Sequence, residues 1–132
     1  MTSVNINADG VNSSVSFNPG PGSSVHMNAD QINIRGAEYN AFGGKITTKA
    51  KTLHQKNVTQ TSTDRGEIIN SGDHVTQEDS IQQSIGVQSS IENLAKEDLT
   101  QRFMTQISSD GGKLTNDAEN ISQENLNQTI EN

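Results

Sequence analysis

The chain has no cysteine and no tryptophan, and its 132 residues include one tyrosine, three phenylalanines and two prolines. Without cysteine, disulfide bonds, thiolate zinc sites and cysteine nucleophiles are excluded. Aromatic residues make up 3% and apolar residues 29% of the chain, well below the usual share in globular domains. A large hydrophobic core is therefore not expected. Order in so polar a chain has to come from repeated backbone ladders and self-association.

Long apolar runs and an excess of basic residues are also missing. The formal net charge is −7, whereas a protein that neutralises phosphates needs a surplus of Lys and Arg, so we expect no nucleic-acid partner. No run is long enough for an apolar spanning helix, and the first residues lack the basic and apolar regions of a secretory signal. We therefore expect neither a signal peptide nor membrane insertion. The localisation stays open, with a virion or an extracellular assembly as our expectation.

What the chain does have is an internal repeat with a period of about 21 residues. Residues 3–12 (SVNINADGVN) return as residues 24–33 (SVHMNADQIN), and looser copies follow at 45–54 and 68–75. Apolar and polar residues alternate within the copies, as is typical of half-buried strands. The alternation shifts at Asp30 and Gln31, which indicates a corner between two short strands. A corner in every repeat is what a β-solenoid or β-helix requires.

The repeat predicts a β-repeat region over residues 1–78, with a β-solenoid or β-helix-like architecture built from short strands. The predicted core consists of the apolar positions that keep their register from copy to copy: Val4, Ile6, Ala8, Val11, Val25, Met27, Ala29, Ile32, Ile34, Ile46, Ala50 and Leu53.

The pattern changes near residue 79, and residues 79–132 are predicted to form a helical region. Apolar residues recur at every fourth position behind a capping box that begins at Ser89. A main helix is predicted at about 89–108 and a weaker one at about 115–130, so the fold class is a two-part α+β. The apolar stripe has to be buried against a partner, with Phe103 as its anchor. The predicted interface residues are Ile91, Ala95, Leu99, Phe103 and Ile107.

Few residue patterns in the chain point to chemistry. Residues 5–10 (NINADG) resemble the start of a calcium loop, but Ser16 stands where the bidentate Glu is required, so a plain turn is favoured. The glycine pairs before Lys45 and Lys113 lack the spacing of a phosphate loop. The three histidines are far apart in sequence and in no catalytic setting. We therefore predict a non-enzymatic protein with no catalytic residues, no metal and no cofactor.

Three segments carry a resemblance to known families. Residues 25–36 (VHMNADQINIRG) and 70–77 (NSGDHVTQ) resemble the repeat segments of trimeric β-helix spikes of contractile phage baseplates and type VI secretion tips. Residues 66–73 (GEIINSGD) are similar to the amyloid signalling repeats of fungal death-inducing proteins, which stack as β-solenoids with Asn/Asp ladders. The first resemblance implies a structural role in an assembly, and the second implies a templating role.

Together these features predict a structural or assembly protein, a component of a virion, phage tail or filament, that associates with itself or with neighbouring structural proteins. One alternative is an amyloid-type signalling or templating module. A further alternative is an extracellular calcium- or carbohydrate-binding module. The sequence leaves open the oligomeric state and the choice between a solenoid, an intertwined trimer and an amyloid.

Overall fold

The computed structural model describes residues 3–7 and 15–131, with side chains described for 15–131. These residues contain no helix, and strands make up 79% of them. Every strand pair is parallel, and the chain winds into a β-solenoid of about five turns. The strands are β1 (Ser3–Asn7), β2 (Val15–Phe17), β3 (Ser24–Arg35), β4 (Ala37–Phe42), β5 (Lys45–Lys56), β6 (Thr59–Thr63), β7 (Glu67–Glu78), β8 (Ile81–Ile85), β9 (Ser90–Ser109), β10 (Lys113–Asp117) and β11 (Asn120–Glu131).

We number the turns from β3. Turn 1 is β3 and β4, turn 2 is β5 and β6, turn 3 is β7 and β8, turn 4 is β9, and turn 5 is β10 and β11. Strands β1 and β2 precede turn 1 and pair with β3 and β4. Each strand lies directly on its equivalent in the turn before, so neighbouring strands of the sheet come from successive turns along the solenoid axis.

Each turn has three sides because the inward alternation changes phase in the middle of the long strand. In β5, Ala50 and Leu53 are both buried, while Lys51 and Thr52 between them are exposed and form a corner. The same phase change occurs in β3 next to Asp30, where the sequence predicts it. Side A comprises 24–29, 45–50, 67–72, 90–95 and 113–118. Side B comprises 31–35, 52–56, 74–78, 98–102 and 120–124. Side C comprises 37–42, 59–63, 81–85, 105–109 and 126–131.

The corner between sides B and C has the same left-handed backbone in every turn. Backbone pairing continues through it, as in the bond from Asn57 N to Glu78 O at 3.1 Å. Glycine adopts a positive φ at least cost, followed by Asn and Asp, so most of these corners hold a suitable residue. The exception is the aromatic side chain in turn 4. The corner residues and their φ angles are Gly36 (78°), Asn57 (54°), Asp79 (49°), Phe103 (53°) and Asn125 (53°).

The apolar core is continuous along sides A and B. Equivalent positions stack one turn apart, so that Ile46, Ile68 and Ile91 form one fully buried column and Leu53 and Leu99 belong to another. Burying an aliphatic side chain of this size contributes roughly 1.5–3 kcal/mol each relative to leaving it exposed. Of the predicted core residues with described side chains, Val25, Met27 and Ala29 are partly buried against the core, and Ile32, Ile34, Ile46, Ala50 and Leu53 are buried.

The β-solenoid prediction is confirmed, but the two-part α+β fold class is wrong, because the predicted helices at 89–108 and 115–130 are strands. A spacing of four is also a multiple of the strand period of two. The inward position between Ile91 and Ala95 is the polar Asn93, and the inward position two residues after Leu99 is the polar Gln101. Buried amides therefore made a strand pattern look like a helical one.

The register of the first repeat also differs from the sequence alignment. Val4 pairs with Ile32 and Ile6 with Ile34, whereas the repeat aligns residues 3–12 with 24–33. Strand β1 therefore belongs to side B. From Ser24 onward the repeat register holds, since Ser24 pairs with Lys45. The predicted core residues Ala8 and Val11 lie outside the described part of the chain.

Candidate functional site

Three columns of amide side chains line the interior, from turn 3 to turn 5 on side A and from turn 2 to turn 5 on sides B and C. One lies on each side of the solenoid, at inward positions that the strand alternation places directly above one another. From turn 2 to turn 4 these side chains are 0–2% exposed. Side A contributes Asn70, Asn93 and Asn116. Side B contributes Gln55, Gln77, Gln101 and Gln123. Side C contributes Gln60, Gln82, Gln106 and Gln128.

The glutamine columns are hydrogen-bonded in one direction along the axis. On side B, Gln77 Nε2 donates to Gln55 Oε1 at 2.9 Å, and Gln101 Nε2 donates to Gln77 Oε1 at 2.9 Å. On side C, Gln82 Nε2 donates to Gln60 Oε1 at 2.6 Å. Every glutamine of these two columns from turn 3 onward thus donates one bond to the turn before it.

The asparagine column links the three sides, because each asparagine oxygen collects donors from the preceding turn. Asn93 Oδ1 accepts from three nitrogens of turn 3: Asn70 Nδ2 at 3.0 Å, Gln77 Nε2 at 2.8 Å and Gln82 Nε2 at 2.9 Å. Asn116 Oδ1 accepts from the three equivalent nitrogens of turn 4: Asn93 at 2.8 Å, Gln101 at 2.9 Å and Gln106 at 3.2 Å.

This network fixes the register of the layers. Any slip of one layer past another would leave several amides unpaired. Such a slip is unfavourable because each buried polar group without a partner costs about 1–3 kcal/mol. Among the described residues the buried side-chain atoms without a partner are Thr47 Oγ1 and Ser84 Oγ, neither of which is an amide. The buried amide side chains thus form a satisfied hydrogen-bonded network.

Tyr39 lies where the amide interior meets the apolar interior. Its side chain is fully buried, its hydroxyl is 3.3 Å from Thr48 Oγ1, and its ring contacts Phe17 edge to face at 5.3 Å. Burial raises the pKa of the Tyr39 hydroxyl to about 12, although bonds to Thr48 and Gln55 act in the opposite direction. This phenol stays neutral at physiological pH and has no base beside it to activate it.

An ion-pair cluster links turns 3 to 5 on the outer surface. His74 Nε2 is 3.0 Å from Glu97 Oε2, and His74 Nδ1 is 2.9 Å from Asp98 Oδ2. Asn120 Nδ2 donates to Asp98 Oδ1 at 3.2 Å. The three ionisable groups could each offer one ligand atom to a cation, but both imidazole nitrogens are already bonded to carboxylates. Sequence reasoning missed this cluster, because His74 meets Asp98 only once the turns are aligned.

An open groove of about 770 Å³ follows the corner between sides A and B. Small residues form its floor, and Gly72 lies so close to the Ala50 carbonyl that a Cβ there would be 2.2 Å from the oxygen. Its rim alternates in charge from turn to turn, with Asp30, Lys51 and Asp73 in succession.

The predicted interface residues do not share a face. Ile91, Ala95 and Leu99 lie in the interior of the solenoid. Ile107 points outward on side C and is partly buried. Phe103 is 56% exposed at its corner. The continuous helical stripe therefore does not exist, and contact of Phe103 or Ile107 with a partner stays a prediction.

No protein-family model, curated protein or solved structure matches this chain. Within the described residues there is also no helix with the length and hydropathy needed to cross a membrane. The class that the fold defines is a parallel β-solenoid with an amide-lined interior.

Proposed function

We propose that the protein is a non-enzymatic structural subunit of a larger assembly, such as a virion, a phage tail or a filament, and that it packs against a second copy of itself through side C. The observation that supports this proposal is the absence of charge on the described outer surface of side C in turns 2 to 4. Its outward residues there are Thr59, Thr61, Thr63, Ile81, Gln83, Ile85, Thr105, Ile107 and Ser109.

Most of these residues are β-branched, which suits a flat pleated surface. Ile81 is 44% exposed, and Phe42 at the edge of the same side is 57% exposed. Acidic residues occur only toward the two ends of side C, at Glu38 and Glu131. A sheet face of this kind can be covered by another sheet without burying an unpaired charge.

The other two sides differ in charge. Lys45 and Glu67 lie 3.8 Å apart on side A, and His54 and Glu78 lie 3.0 Å apart on side B, all partly exposed. With a net charge of −7, two copies repel each other over most of their surface. Association costs least where charge is absent, and the depletion of charge at the centre of interfaces follows the same rule.

Two lysine substitutions on one strand test the proposal. Thr105 and Thr100 both belong to β9 and are both partly buried outward residues, but Thr105 lies on side C and Thr100 on side B. Sedimentation velocity at micromolar concentration should show an oligomer for the parent chain and for Thr100→Lys, and a monomer for Thr105→Lys. A monomeric parent, or an equal loss of assembly in both variants, would overturn the proposal.

A further inference from the structure

We infer that the outer end of turn 5 is a binding site for one more parallel β-layer, whose inward residues are Asn on side A and Gln on sides B and C. The partner is a polypeptide segment with the spacing that turns 3 to 5 share, Asn-x6/7-Gln-x4-Gln with an apolar residue two positions before the Asn and two before the first Gln. The inference does not depend on association through side C.

The interior shows how one layer receives the next. On turn 4, three amide nitrogens each donate two hydrogen bonds, one to an oxygen of turn 3 and one forward to Asn116 Oδ1. These nitrogens belong to Asn93, Gln101 and Gln106. The oxygen of the next asparagine thus lies where three N–H groups converge, as the Asn93 oxygen also does.

Turn 5 presents the same three donors with their forward bonds unmade. Asn116 Nδ2 donates to Gln106 Oε1 at 3.0 Å, Gln123 Nε2 to Gln101 Oε1 at 2.8 Å, and Gln128 Nε2 to Gln106 Oε1 at 2.8 Å. Each is the backward bond, and within the described residues none of the three nitrogens has a forward acceptor. Three N–H groups therefore point to the position of one further side-chain oxygen.

The glutamine side-chain oxygens and the outer strand edges of turn 5 also fit one more parallel β-layer. In the interior, each glutamine oxygen accepts from the glutamine one turn further on. Among the described residues, no such donor reaches Gln123 Oε1 or Gln128 Oε1. Within the part of the chain that the structure describes, strands β10 and β11 pair only with β9, so their outer edges carry backbone groups of the kind that β-augmentation uses.

Apolar residues surround these amides and stay exposed until a layer covers them. Ile121 continues the column of Leu99 but is 45% exposed, and Ile130 is 81% exposed. Covering them would add hydrophobic burial to the amide hydrogen bonds. The combination of a directed polar centre and an apolar margin is that of a specific interface.

The N-terminal strand β2 of an identical copy does not fit this end. Phe17 lies in the column of Gln128, through Tyr39. An apolar ring against Gln128 would leave that amide without a partner. The partner therefore resembles turns 3 to 5, not the N-terminal strand β2.

A synthetic peptide with the sequence of β9, Ser90–Ser109, serves as the probe. The matched control peptide has Asn93→Leu, Gln101→Leu and Gln106→Leu, which preserves size and increases hydrophobicity. In calorimetric titration of the full chain, the parent peptide should bind saturably at one site. The control should bind at least roughly tenfold more weakly, because the amides of turn 5 stay unpaired.

A reciprocal change in the protein tests the location of the site. Gln123 and Gln128 are exposed, so the double variant Gln123→Leu, Gln128→Leu should fold, with a modestly lower melting temperature because Gln101 Oε1 and Gln106 Oε1 each lose one donor. It should bind the parent peptide at least roughly tenfold more weakly than the unchanged chain does and should reverse the preference between the two peptides. Failure of the parent peptide to bind, equal binding of both peptides, or an unchanged preference in the double variant would overturn the inference.

Discussion

The N-terminal and C-terminal halves of the solenoid share one backbone but fill it differently. In turn 1 the inward positions of sides B and C hold Ile34, Tyr39 and Ala41, whereas the equivalent positions of turn 3 hold Gln77, Gln82 and Ser84. Parallel layers can thus be stabilised either by apolar burial or by amide ladders. The two interiors differ in how well they tolerate a substituted or displaced side chain. Apolar contacts are non-directional, whereas an amide hydrogen bond requires its partner in one position.

The largest expected effect comes from breaking the amide interior. Asn93→Leu removes the oxygen that three amide nitrogens of turn 3 bond to, and should lower the free energy of unfolding by on the order of 4 kcal/mol. Thr48→Val, at the same position of side A in turn 2, should cost only about 1 kcal/mol because a single bond to Tyr39 is lost. Urea denaturation measures both, and equal costs would show that the two interiors do not differ.

Alkaline pH tests the apolar interior at Tyr39. The folded pKa of about 12 lies above the ordinary value of 10.0, so the neutral phenol stabilises the fold fully below pH 10. That stability is lost as the pH rises from 10 to about 12, by up to about 3 kcal/mol. Tyr39→Phe should remove this part of the pH dependence. Because the chain has one tyrosine and no tryptophan, absorbance near 295 nm reports Tyr39 alone; titration at its ordinary pKa in the folded protein would contradict the burial.

The corner between sides B and C sharpens the comparison, since turn 1 has Gly36 there and turn 4 has Phe103. Phe103→Asn should stabilise the protein by about 1 kcal/mol, because Asn tolerates the left-handed backbone better than a bulky residue does. The reciprocal Asn57→Phe should destabilise it by a similar amount. Thermal unfolding of both variants measures these effects. A lower melting temperature for Phe103→Asn would mean that contacts of the Phe103 ring stabilise the fold by more than its left-handed backbone costs.

The ion pairs on the outer surface should contribute least. His74 and both carboxylates are about half exposed, at 49–51%, so His74→Gln should cost less than about 1 kcal/mol. The cost should shrink further in high salt, as screening predicts. A larger, salt-independent loss on thermal unfolding would assign the cluster a structural role comparable to that of the interior.

The sequence predicted the parts of the fold that apolar residues mark. The alternation from Ser24 onward, the corner near Asp30 and the columns through Ile46 and Leu53 follow from hydrophobic period and repeat length. The amide interior could not be found in this way, since Asn and Gln are ordinarily assigned to the surface. Because Asn93 and Gln101 do not register in an apolar pattern, only a spacing of four remains in this segment, and that spacing predicts a helix.

Hydrogen exchange of individual side-chain amides tests the central claim most directly. The claim is that turns 2 to 4 are held in register by buried amide ladders. The NH₂ groups of Asn93, Gln82 and Gln101 should exchange at least roughly a hundredfold more slowly than those of the outward-facing Gln83 and Asn127, because exchange requires the layers to open. Exchange of all five groups at one solvent-exposed rate would contradict the account, since Asn93 and Gln101 would then lie on the protein surface.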